Sequence, residues 1–270
     1  MLGRLIKYEF KATARTFLPL YGVLLLLAGL NRLFMEFKFQ NFAFGIPQIL
    51  SWILYGCIIV AIFVISLLVM IQRFYRNLLK EEGYLMFTLP VPPRNHIFAK
   101  LFTSMVWMLG SIVVTLVSVG ILALGSGMFT SLFRGLVEMQ QNFDGDVALF
   151  WLTMLNFFVM VLSALASSIL MIYCAISLGQ LFNQHRVAAA FGCYVGIYMV
   201  MQAVNTILML IIGTGFSNNA DFFIHYFSNP YAMVGGVNIM IGGLGLLEIA
   251  YAVGFFLLTN FIFKRQLNLE

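Results

Sequence analysis

Residues 39–72 contain no Asp, Glu, Lys or Arg, and the same is true of 101–133, 147–184 and 187–220. Apolar runs of that length leave a water-soluble fold with nothing to put on its surface. A soluble domain carries roughly 25% charged residues. Here charged residues are 9% of the 270 and hydrophobic ones 62%, with a mean hydropathy of +0.98. The chain therefore reads as a polytopic membrane protein. In hydrocarbon every backbone N–H and C=O must be satisfied internally, and the runs lack the alternation of a barrel strand, so each is a helix. At about 20 residues per crossing, we expect an all-α membrane protein with six transmembrane helices, a single transmembrane domain over 1–270. The spans fall near 17–35, 47–72, 97–125, 148–180, 188–212 and 239–263.

The sparse charges set the orientation. With the N-terminus inside, the inner segments collect Arg4, Lys7, Lys11, Arg15, Arg73, Arg76, Lys80, Arg94, Lys100, Arg186, Lys264 and Arg265, which is twelve of the fifteen basic residues. Inner loops prefer Lys and Arg, so the expectation is N-in, C-in. No small-residue cleavage site follows the first run, so that span is expected to remain attached.

The connections have some character of their own. Leu2, Leu5, Ile6, Phe10 and Phe17 oppose Arg4, Lys7, Lys11 and Arg15 at helical spacing, as in a helix lying in the membrane interface. Residues 1–16 are thus either a simple anchor or an elbow helix that also touches an inner partner. Phe129, Leu132, Phe133, Leu136 and Val137 mark a second amphipathic helix, which either extends the third span or lies on the outer leaflet. Residues 213–238 mix Gly, Asn, Pro230 and aromatics, a blend suited to an outer re-entrant segment.

Candidate chemistry is scarce. No Gly is followed by Lys, so the chain has no P-loop, and nucleophile-elbow and H-E-x-x-H motifs are missing as well. His96, His185 and His225 are expected as polar loop residues. Cys57, Cys174 and Cys193 all lie in apolar runs, without metal-ligand or disulfide spacing, and read as small packing residues. Glu248 is the one acid inside a span, where a carboxylate costs about 2.5–3.5 kcal/mol on insertion scales. It either serves a path or locks helices together, with Tyr251 one turn on. In the fifth span Tyr194, Tyr198, Gln202 and Asn205 form one polar stripe, facing a translocation path or a helix interface. Gly192 and Gly196 form a G-x-x-x-G pair for helix packing on roughly the other side. Ser163, Ser167, Cys174 and Ser177 in the fourth span read as a packing ladder.

The charged island 73–100 is the strongest functional signal. Phe74, Leu78 and Leu85 line one side of a short helix, Gly83 ends or bends it, and Pro90, Pro92 and Pro93 stop helix formation before the third span. An amphipathic helix at the membrane edge with both charge signs suits docking into a groove on a soluble partner. A plain connecting loop is the other reading.

The run Glu82-Gly83-Tyr84-Leu85-Met86-Phe87-Thr88-Leu89-Pro90-Val91, followed by Arg94 and Lys100, resembles a segment of ABC-2-type permeases, the membrane subunits of ATP-binding-cassette exporters. Lys7-Tyr8-Glu9-Phe10-Lys11 before the first span is similar to that family too, as is the six-span layout with a cytoplasmic coupling loop at 73–96. In local sequence the likeness is specific only around 80–100. It implies a half-transporter. Two permease subunits, a second copy or a related chain, would pair in a bacterial cytoplasmic membrane, and two separate ABC ATPase subunits would bind ATP and Mg below. The chain itself would be no enzyme and hold no cofactor, and nothing implies nucleic acid. ATPase-coupling contacts would carry over to Arg76, Lys80, Glu81, Glu82, Tyr84 and Leu85. Compact members with short outer loops resemble exporters of, or immunity proteins against, bacteriocins and peptide toxins; drugs and lipids are other cargo classes. The rival expectations are an ion- or proton-coupled secondary carrier that uses Glu248, and a non-transporting membrane scaffold.

Overall fold

The computed structural model describes residues 2–36, 42–79, 92–125, 127–141, 147–182, 185–218 and 230–265. Among the described residues there are seven helices and no strand: α1 (Leu2–Glu36), α2 (Phe42–Leu79), α3 (Pro93–Ala123), α4 (Met128–Gln141), α5 (Val147–Gly179), α6 (Arg186–Asn218) and α7 (Pro230–Arg265). All but α4 are long and apolar enough to cross a membrane. This is a multi-pass, all-α membrane protein, and each expected span overlaps one of the six long helices, several of which run well beyond it.

The helix ends differ from the expectations in an instructive way. Residues 2–16 and the first span are one unbroken helix, with Pro19 inside it. Helix α2 runs on past Arg73 to Leu79, so the first third of the charged island is its last turns. Residues 213–218 and 230–238, expected in a re-entrant segment, are the end of α6 and the start of α7; 219–229 lie outside the described residues. Charge marks where a helix meets water, but Arg, Lys and Gln are good helix formers and do not end it. Backbone chemistry does end helices. Pro92 caps α3 in extended geometry with Pro93 at its first position, where the missing N–H costs nothing. At the other end Gly125 takes φ +78°, and Gly127 φ +73°. That turn separates α3 from α4, so α4 is a helix of its own and not an extension of the third span.

The chain divides into two compact units, residues 1–134 and 135–270. In the first, α1 is the hub against which α2 and α3 pack. The side-chain pairs fix its topology. Glu9 meets Lys100 and Tyr21 meets Ser111, so α1 and α3 run parallel. Glu9 meets Arg73 and Asn31 meets the Ser51 carbonyl, so α2 runs against α1. Phe17, Leu24, Ala28 and Ile62 form the apolar core, and the Trp107 indole stacks on Phe17 at 4.5 Å and 11°.

The second unit follows the same plan. Helix α5 is the hub for α6 and α7. Asn156 pairs with Asn238 and Ser167 with Glu248, a near-constant offset that makes α5 and α7 parallel. Gly179 lets α5 and α6 approach backbone to backbone. A Cβ there would lie 2.5 Å from the Ala190 Cβ and 2.6 Å from its backbone, so only hydrogen fits.

Candidate functional site

A chain whose membrane helices are nearly free of charge does not bury ionised groups without compensation. In the first unit two buried ionised groups and a half-buried third come together. The Glu9 carboxylate, on α1, accepts from Lys100 Nζ of α3 at 2.8 Å through Oε1. Its Oε2 accepts from Arg73 of α2, with Nε at 3.0 Å and Nη2 at 2.7 Å. The Lys100 side chain is 4% exposed, Glu9 11% and Arg73 26%. Both Arg73 nitrogens converge on that one oxygen, a charge-assisted contact. One acid against two cations leaves the cluster with net positive charge.

Hydroxyl and indole groups continue inward from this cluster. Trp107 Nε1 donates to Thr13 Oγ1 at 2.7 Å. The Tyr21 hydroxyl donates to the Trp107 carbonyl at 3.1 Å and bonds Ser111 at 2.8 Å. Ser66 reaches Ser111 at 3.4 Å, and Tyr55 bonds Ser118 at 2.8 Å. Every one of these contacts joins two of the three helices. The ladder therefore fixes the relative register of α1, α2 and α3, which apolar packing alone leaves loose in lipid.

Glu9 entered the sequence reading only inside a motif, with no role. It is the sole acid before Glu36 in a stretch with five basic residues; that isolation is the signal the sequence offers. Lys100, near the start of α3, is the buried end of the cluster. His96, expected in a loop, is 2% exposed in the first turn of α3, because the proline pair starts the helix early enough to bring it under cover. Arg76 is exposed on α2. Lys80, Glu81, Glu82, Tyr84 and Leu85 lie outside the described residues.

The second unit brings together features that looked separate in sequence. Ser167 of α5 donates to Glu248 Oε2 of α7. One turn on, the Tyr251 hydroxyl donates to Asn205 Oδ1 of α6 at 3.0 Å. One end of the α6 polar stripe thus joins the neighbourhood of Glu248, and Ser167 is more than a packing residue. Ser163, Cys174 and Ser177 are buried as expected. Tyr194 is half-buried, while Tyr198 and Gln202 are exposed. Gly192 and Gly196 are exposed, and among the described residues a Cβ on either would meet nothing within 4 Å. Cys57 is exposed and so is no packing residue, whereas Cys174 is buried and Cys193 half-buried. Nearer the other end of α7, Asn238 donates to Thr153 at 2.7 Å and accepts from Asn156 at 2.9 Å. His225 lies outside the described residues.

No protein-family model matches the chain, and neither the curated proteins nor the solved structures contain a match to it.

Proposed function

We propose that this chain is the membrane-spanning permease subunit of an ATP-driven exporter in a bacterial cytoplasmic membrane. It moves a hydrophobic or amphipathic cargo outward, a peptide or toxin first and a drug or lipid second. Two separate ATPase subunits supply the work, and a second permease subunit completes the path. The observation that carries this reading is the convergence of Arg73 and Lys100 on Glu9. Those two residues are the roots of the charged island, where the chain leaves the membrane helices and where it returns. A loop that is pushed by a motor transmits force only if its roots do not slip. Here both roots are pinned to one carboxylate on the hub helix, so displacement of the island turns α1, α2 and α3 together as a rigid body. A mere connecting loop has no need of a buried ion triad at its base.

Co-purification with an ATPase encoded beside it tests this. The double variant Glu82→Ala, Leu85→Ala is expected to lose the ATPase and its permease-dependent stimulation while the membrane part still folds. Unchanged assembly and unchanged stimulation refute the docking assignment. The Ser167–Glu248 pair gives a second reading, a secondary carrier coupled to an ion or proton. That alternative predicts gradient-driven transport in ATP-free vesicles, abolished by Glu248→Gln.

A further inference from the structure

We propose that Glu248, with Ser167, Tyr251 and Phe255 around it, is a binding site for the ammonium or guanidinium group of a cationic amphiphile. In making that amphiphile the cargo the proposal rests on the exporter reading; the binding itself does not.

Glu248 stands near the middle of the apolar window of α7, residues 235–264. It is half-buried. Its neighbours along the helix, Leu246 and Ile249, are exposed apolar side chains, so water offers it little there. An ionised carboxylate has about four acceptor positions. Among the described residues its hydrogen bond comes from Ser167, and no ion pair reaches it. The contrast with Glu9 is direct: the same side chain in the first unit receives two cations, while in the second it receives a neutral hydroxyl. A carboxylate held in hydrocarbon with acceptor capacity to spare calls for a cation that arrives from outside the chain.

The surroundings say which kind. A hard metal cation takes six or more oxygen ligands, and one carboxylate with one hydroxyl falls far short. An organic cation needs only a counter-charge, a polar contact and apolar or aromatic walls. Tyr251 and Phe255 follow Glu248 on the same face of α7, and their rings stack at 6.4 Å and 20°. Aromatic faces beside a carboxylate attract alkylammonium and guanidinium groups through the ring quadrupole. The Tyr251 hydroxyl is already committed to Asn205, which fixes the ring in place. Exposed Leu244, one turn before Glu248 on the same face, extends the apolar surface along α7 for the body of the ligand. Anions are repelled, and neutral amphiphiles gain no ion pair.

The test uses the full chain in phosphatidylcholine nanodiscs, with decylguanidinium as probe and decanol and decanoate as controls of matched length. Binding is read by titrating the unfolding midpoint from tryptophan fluorescence. Wild type is expected to take decylguanidinium with an apparent affinity roughly tenfold or more above decanol, the worth of one charge-assisted hydrogen bond. Glu248→Gln brings the cation down to the level of decanol, and Tyr251→Ala narrows the preference. Equal response to the three probes in wild type overturns the proposal, as does an unchanged preference in Glu248→Gln. A site that takes only a proton gives the first of those results. Should Glu248→Gln fail to assemble, the three-probe comparison in wild type alone decides. Adding phosphatidylethanolamine separates the sources of the amine. Displacement of the probe by this lipid assigns the site to a headgroup, and persistence assigns it to a free cargo; either outcome supports the shared cation chemistry. The Glu82→Ala, Leu85→Ala variant keeps the preference intact, so a failure of ATPase docking and a failure of this site remain distinguishable.

Discussion

Neutralising Glu9 is the sharpest perturbation of the first unit. At 2.8 Å the Glu9–Lys100 pair is worth roughly 6 kcal/mol of gross attraction at an effective dielectric of 20, much of it offset by the desolvation of both groups. What matters is the state left behind. Glu9→Gln keeps the shape but leaves Lys100, 4% exposed, and Arg73 facing each other with no anion between them. Stranding a buried charge costs about 3–5 kcal/mol. Arg73→Gln is milder, because that side chain is a quarter exposed and Glu9 keeps Lys100; about 1–2 kcal/mol is expected after allowance for screening. Replacing both buried partners, Glu9→Leu with Lys100→Met, removes two desolvation penalties at once and costs less than Glu9→Gln alone. Equilibrium unfolding in mixed micelles, followed by tryptophan fluorescence, measures all three; Trp107 donates to Thr13, one turn along α1 from Glu9, and reports on this site. On the exporter proposal, Glu9→Gln is also expected to uncouple ATP hydrolysis from transport in the reconstituted complex, leaving ATPase binding in place. Single-variant costs under about 0.5 kcal/mol, or costs for Glu9 and Lys100 that simply add, refute the buried-triad argument.

Other outcomes follow from close approaches and hydroxyls. Gly179→Ala drives a methyl to 2.5 Å from Ala190 and is expected to destabilise by about 1–3 kcal/mol through forced separation of α5 and α6; a wild-type unfolding midpoint contradicts that packing. Gly192→Ala and Gly196→Ala meet open space and should be neutral or stabilising by up to about 1 kcal/mol from helix propensity. A drop in the unfolding midpoint of the isolated chain counts against that placement. Tyr21→Phe removes the bonds to Ser111 and the Trp107 carbonyl, with an expected loss of about 1 kcal/mol measured by the same unfolding titration.

Much of the fold is legible because charge in this chain is nearly confined to membrane edges. Runs such as 39–72 and 187–220 leave the backbone no choice but helix. The helix ends are less legible for the same reason. Arg73 and Arg76 announce the edge of the bilayer, yet α2 continues to Leu79 because nothing in those side chains opposes helical geometry. Where a proline pair intervenes, as at Pro92–Pro93, the boundary is visible in sequence and real in structure, whereas the left-handed Gly125 after α3 is one glycine among many. The sites are another matter. Glu9 finds its partners 64 and 91 residues away, and no periodicity within one helix encodes a pairing between helices. Glu248 could be singled out alone, because an acid inside a span is anomalous anywhere. Its partner Ser167 was hidden among other small residues, each with the same look of packing.

The two units share a plan and differ in what they do with polarity. In each, the first helix is the hub and the third runs parallel to it. In the first unit the carboxylate meets two cations, and hydroxyl pairs tie all three helices together at the level of Ser66 and Ser111. Such a unit resists shear, since any sliding of one helix breaks several buried contacts at once. In the second unit α5 buries about half of its apolar stretch, but residues 186–215 of α6 include no buried residue, and Glu248 and the α6 stripe are left partly open. The exporter proposed above would need both properties: a part that does not deform under load, and a part that keeps polar groups available within hydrocarbon. The distribution of Glu9 and Glu248 gives each unit one of them. The same substitution, Glu to Gln, therefore has opposite signatures, a large loss of stability at position 9 and a loss of ligand preference with little loss of stability at position 248.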